Sequence, residues 1–164
     1  MDSEMDSERR PLRSIGTSAS EIHARTGQLL AGLAGARGAR LITAVPVGAG
    51  ETPIPYAFCA GRSIVLLDSV AWPAGTYAIT PDGRVLCDGT YIGQSIRQLV
   101  GAVHRLRGAI SGERRVEAVV VVHPCTPTAP TLPVTGPPGL SWVTPADLGA
   151  HLGARTNPAR LLSV

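Results

Sequence analysis

A chain of 164 residues has the length of one domain and enough of it to bury a core. Charged residues make up 16% and apolar residues 44%, which excludes a disordered polymer, while aromatics at 4% leave the core to Val, Leu, Ile and Ala. All 15 basic residues are arginine, and beyond the four acids of residues 1–8 they face only eight acids, a net of +7; without lysine the chain cannot build a Schiff base, a phosphate-loop lysine or a lysine-dependent nuclease site.

Residues 1–19 are small and polar and read as a flexible tail. Ser20 is placed to cap a helix from about Glu21 to Ala34, weakened by Gly27 and Gly32 and ended by the GARGAR stretch. Strand candidates follow at Arg40–Val47, where Pro46 marks an end or an edge, and at Tyr56–Ala60. The turn Gly61-Arg62 then leads into the apolar run of Ser63–Val70, which has the pattern of a buried central strand. Thr76–Thr80 and Arg84–Cys87 flank Pro81-Asp82-Gly83 as a hairpin.

Ile92, Ile96, Leu99, Val100, Val103, Leu106 and Ile110 recur at three- and four-residue steps and predict a helix from about Ile92 to Ala109. Val116–Val122 reads as a second buried strand, Pro124–Pro138 as an exposed loop and Leu140–Val143 as a short strand. A last helix opens at Thr144-Pro145, with Asp147 in its first turn. The pattern predicts an α/β (α+β) fold, a mixed sheet flanked by helices, over residues 20–153, with a second tail at 154–164.

Cys59, Cys87 and Cys125 are odd in number and form no CxxC pair, so reduced thiols and a cytoplasmic setting are expected. The acidic start lacks the apolar stretch of a signal peptide, and no apolar run is long enough to span a bilayer. A high-GC genome of actinobacterial type also produces an arginine excess of this kind.

Several local phrases, in order, resemble the nuclease-related domain (NERD) family of the restriction-endonuclease-like group, whose active-site pattern is written PD-(D/E)xK. Glu21 lies early in the first helix. Ile64–Trp72 (IVLLDSVAW) with Gly75 resembles the family's acid-bearing strand. Asp82-Gly83 stands at the hairpin, Gln94 near the second helix, and Val116–His123 and Ser141–Leu148 close the unit. The resemblance spans about residues 20–152 and implies a restriction-endonuclease-like sheet.

That family holds a divalent metal between two acids on neighbouring strands, and a lysine two positions after the second acid orients or activates the attacking water. The metal stabilises developing charge and acidifies that water. Asp68 matches the second acid, but the lysine position is Val70, the preceding strand offers Tyr56-Ala57-Phe58, and the nearest acid is Glu51 on a loop. Losing one such group commonly costs roughly a hundredfold or more in rate. The resemblance therefore implies a catalytically degenerate domain.

On this basis Asp68, Glu21 and Gln94 are the vestigial catalytic candidates, and Asp68 with Glu51 the metal candidates. Arg62, Arg97 and Arg105 are the candidates for nucleic-acid contact, with Arg107, Arg114 and Arg115 as possible extensions of a basic patch. Each has a plainer role: Asp68 as a strand-end carboxylate held by backbone donors, Glu21 as a solvated first-turn acid, Gln94 as a local cap and the arginines as a solvated face. His123 and Cys125 are separated by Pro124, which restrains any thiol–imidazole pairing. Three functions remain open: a non-catalytic binding or assembly module on nucleic acid or a protein partner; a weak nuclease with migrated ligands using Mg²⁺; and a structural interaction domain without nucleic acid. No cofactor is expected outside the nuclease alternative, and no membrane contact is expected.

Overall fold

The computed structural model describes residues 12–110 and 112–156. Strands β1 (Arg40–Val45), β2 (Ile54–Ala60), β3 (Ser63–Trp72), β7 (Arg115–Pro124) and β8 (Leu140–Val143) form one mixed sheet in the order β1-β2-β3-β7-β8. β1, β2 and β3 are antiparallel, whereas β3, β7 and β8 run parallel. Between β3 and β7 the chain makes a second, three-stranded sheet from β4 (Tyr77–Ile79), β5 (Arg84–Cys87) and β6 (Thr90–Ser95). Helices α1 (Ala19–Arg37), α2 (Arg97–Ala109) and α3 (Pro145–Thr156) complete an α/β architecture.

The two unbroken apolar runs become the two central strands because both faces of the large sheet are covered. Ile64, Leu66, Val70 and Trp72 of β3 join Val116, Ala118, Val120 and Val122 of β7 in one core with α2 and the small sheet. Val65, Leu67, Val119 and Val121 point the other way, against Leu30 and Ala34 of α1 and Leu148 and Leu152 of α3. Trp72 is fully buried and stacks on Tyr77 at 4.1 Å between ring centroids.

Several boundaries differ from the sequence expectation, the last helix running to Thr156 past the expected tail start at 154, and three of the differences bear on the site. The α1 cap is Ser18, whose side chain accepts from the Glu21 amide; the S-x-x-E spacing Ser18–Glu21 places it two residues before Ser20. The helix predicted from Ile92 begins only at Arg97, because residues 90–95 form β6. Asp88-Gly89, both at positive φ, is a tight two-residue turn between Cys87 and Thr90 and folds that segment back on β5. Finally, residues 12–17, which sequence assigned to the tail, lie along the end of β3. The Ile15 amide donates to the Ala71 carbonyl at 2.8 Å, and Ser14 Oγ accepts from the Ala71 amide at 3.0 Å. Leu12 packs against the core on the α2 side.

Candidate functional site

Asp68 lies near the carboxyl end of β3, the position at which the resemblance puts the second acid. It is half-buried, and its Oδ1 accepts from the Ser69 amide at 2.8 Å. His23 Nε2, from the first turns of α1, stands 3.5 Å from the same oxygen. The hydrogen bond to Asp68 raises the His23 pKa; burial opposes this, and the Asp68 charge and the Ser69 backbone reinforce it. The pair lines an open cleft of about 410 Å³ with Leu12, Tyr56 and Gln98.

Local sequence fixes His23 in this place. Tyr56 Oη donates to the His23 carbonyl at 2.8 Å, tying α1 to β2. That approach requires glycine one turn later: a Cβ on Gly27 would sit 2.4 Å from the Tyr56 hydroxyl. Gln98 is held at the rim by donating to the Thr52 carbonyl at 2.7 Å.

Behind the cleft lies a sealed polar chain. Ser69 Oγ donates to Thr26 Oγ1 at 2.7 Å, and Thr26 Oγ1 lies 2.8 Å from His123 Nε2. All three residues are buried, and burial lowers the His123 pKa, helped by the charges of Arg25 and His23. A neutral imidazole protonated at Nδ1 accepts at Nε2 from Thr26, which gives each hydroxyl in the series one acceptor. The chain joins α1, β3 and β7 and holds the helix against the sheet.

The other candidates stand as follows. Val70 is fully buried in the core on the α2 side. On β2, Tyr56 pairs with Leu67, so one step further Pro55 falls opposite Asp68 and brings no carboxylate. Glu21 is solvent-facing and binds Arg25 at 2.7 Å. Glu51 binds Arg105 at 2.7 Å. Gln94 is buried on β6; its Oε1 accepts from the Trp72 indole at 3.2 Å and its Nε2 donates to the Arg13 carbonyl at 2.9 Å. Arg97 donates from Nε to the Asp82 carbonyl at 2.8 Å, and Arg62 pairs with Glu113. Among the described residues no three His, Cys, Asp or Glu side chains come together to hold a metal ion, and Asp68 offers one carboxylate where a divalent cation wants several oxygens.

Sequence reasoning gave His23 no role and passed over Thr26 and Ser69. Ile22, Thr26 and Leu30 fall at four-residue steps, so Thr26 is a polar residue on the buried stripe of α1, and Ser69 likewise interrupts an apolar strand. Those interruptions were the available signal. His123 does not engage Cys125, whose thiol lies instead beside Gly16.

No helix among the described residues is long and apolar enough to cross a membrane. Compared with protein-family models, with curated proteins and with solved structures, the chain finds no match.

Proposed function

We propose that this chain is a nuclease-related domain that has lost hydrolysis and serves as a non-catalytic binding or assembly module on nucleic acid. One observation carries the loss of hydrolysis: at the end of β3 the lysine position is a valine sealed in the core, while Asp68 has no partner carboxylate on β2. A phosphodiester hydrolase needs a metal or an equivalent positive centre beside its water. Here the carboxylate is already engaged by an amide and an imidazole. Neighbouring polar groups are also committed: Gln94 to Trp72 and Arg13, and Ser69 to Thr26. Arginine stays protonated and cannot replace a base. The net positive charge supports a polyanionic partner, and three free cysteines support a reducing, cytoplasmic setting.

The test is incubation with plasmid DNA and Mg²⁺ or Mn²⁺, alongside Asp68→Ala. No metal-dependent nicking above background is expected from either protein. Robust cleavage abolished by Asp68→Ala would overturn the non-catalytic reading in favour of a nuclease with migrated ligands.

A further inference from the structure

The large sheet brings arginines together at its other end, away from the cleft. Arg40 opens β1, Arg62 sits in the β2–β3 turn, and Arg114 and Arg115 lead into β7. Register brings them to one rim of the sheet: Arg115 is level with Ser63 and Ala60, while Arg40 pairs with Cys59 one step further in, so Arg40 and Arg115 leave the rim on opposite faces. The Arg62 carbonyl also accepts from the Arg115 amide at 2.8 Å. All four side chains are exposed. β1 and β7 are three strand spacings apart, so the row is about 14 Å wide, close to four nucleotide steps at about 3.4 Å of rise each.

What separates this group from most other arginines is its free charge; Arg13, also exposed and without an ion pair among the described residues, stands alone at the opposite end of the sheet. Arg25, Arg84, Arg97 and Arg105 are ion-paired with Glu21, Asp82, Asp82 and Glu51. Arg107 donates twice to the Val116 carbonyl. Arg40, Arg114 and Arg115 have no ion-pair partner among the described residues, and Arg62 has only Glu113, with both side chains largely in water. An exposed pair of that kind is weak and exchanges readily for phosphate. The charges of Arg114 and Arg40 both act on the Cys59 thiol, against the effect of its burial, as expected of guanidinium groups that flank one point. An open pocket between the two turns is lined by Arg62, Arg114 and Glu113.

We infer that Arg40, Arg62, Arg114 and Arg115 form a phosphate-binding row that carries nucleic acid at the end of the sheet opposite the cleft. This rests on the nucleic-acid part of the function proposed above and moves the contact from Arg97 and Arg105 to a different surface. Guanidinium forks suit phosphate oxygens, and the scarcity of aromatic side chains fits backbone contact without base stacking.

Fluorescence anisotropy with a labelled 20-base-pair duplex, read between 50 and 200 mM salt, tests it. Four phosphate contacts give a slope of log K against log salt near −3.6, or roughly a 150-fold loss of affinity over that range. Arg114→Ala/Arg115→Ala is expected to halve the slope, leaving roughly a 12-fold loss. Glu113→Gln frees Arg62 and is expected to tighten binding, a gain that misfolding would not produce. Arg97→Ala/Arg105→Ala is expected to bind as the parent does. If the parent binds but only the Arg97/Arg105 variant weakens, the row is wrong and the proposed function stands. If the parent does not bind duplex at 50 mM salt, both fall. Binding to phosphatidylserine vesicles in place of the duplex overturns the inference in favour of a lipid surface.

Discussion

The two ends of β3 use polar residues in opposite ways. At the carboxyl end Asp68, Ser69, Thr26, His123 and Gln94 are spent on one another and on the backbone. At the amino end, Arg40, Arg114 and Arg115 stand in water without acidic partners among the described residues. Polar groups that satisfy each other stabilise a fold and have little left for a ligand, whereas uncompensated surface charge contributes little to folding and remains available to a partner. The exposed arginines grouped without acidic partners among the described residues lie at the amino end of β3.

Substitutions at the two ends should therefore separate stability from binding. The largest effect is expected for Val70→Lys. A lysine in that sealed position brings an unpaired charge into the core and should lower stability by about 3–5 kcal/mol in a urea titration. Stability near that of the parent would instead mean that the new ammonium reaches Asp68 and the cleft, and the contrast between the ends would be lost.

Thr26→Val keeps the shape and removes the hydroxyl, stranding Ser69 Oγ and His123 Nε2 in the interior. A loss of about 2–4 kcal/mol is expected by the same measurement. A loss below about 0.5 kcal/mol would show that water reaches this chain and that the carboxyl end is not sealed.

The histidines should titrate apart in an NMR pH series, His23 above 6.5 and His123 below it. Because the folded pKa of His23 is raised, its contribution is fully present below about pH 6.5 and fades as pH rises through the folded value. His23→Gln should thus be least stable relative to the parent in mild acid and converge with it in alkali. His123 has the opposite sign. Its folded pKa is lowered, so its neutral, buried state costs stability as pH falls below 6.5. A common pKa for both rings would contradict the arrangement.

The smallest effect belongs to the amino end. Arg114→Ala/Arg115→Ala should alter stability by no more than about 0.5 kcal/mol, since both side chains are exposed and unpaired. A larger loss would assign these arginines a structural role.

Much of the framework was legible in the sequence. The continuous apolar runs of β3 and β7 could only be buried strands, and the turns at Gly61-Arg62 and Pro81-Asp82-Gly83 announced their hairpins. The β6 segment was misread because Ile92 and Ile96 extend the periodicity of α2 backwards by chance, while the Asp88-Gly89 turn signal went unused. The sealed chain was hidden for a different reason. Thr26 is 43 residues from Ser69 and 97 from His123, and no local pattern links positions so far apart. The arginine group was partly visible: Arg62, Arg114 and Arg115 were candidates, but Arg40 was not, and their meeting at one rim exists only through strand pairing.

The strap of residues 12–17 along the tip of β3 gives the molecule a direction. Leu12 lines the cleft beside Asp68, and the arginines flank Ser63, five residues back along β3, roughly 17 Å at the usual rise per residue. A fluorophore carried at position 12 and a second on bound duplex would report that separation by energy transfer, turning the polarity of the sheet into a measurable length.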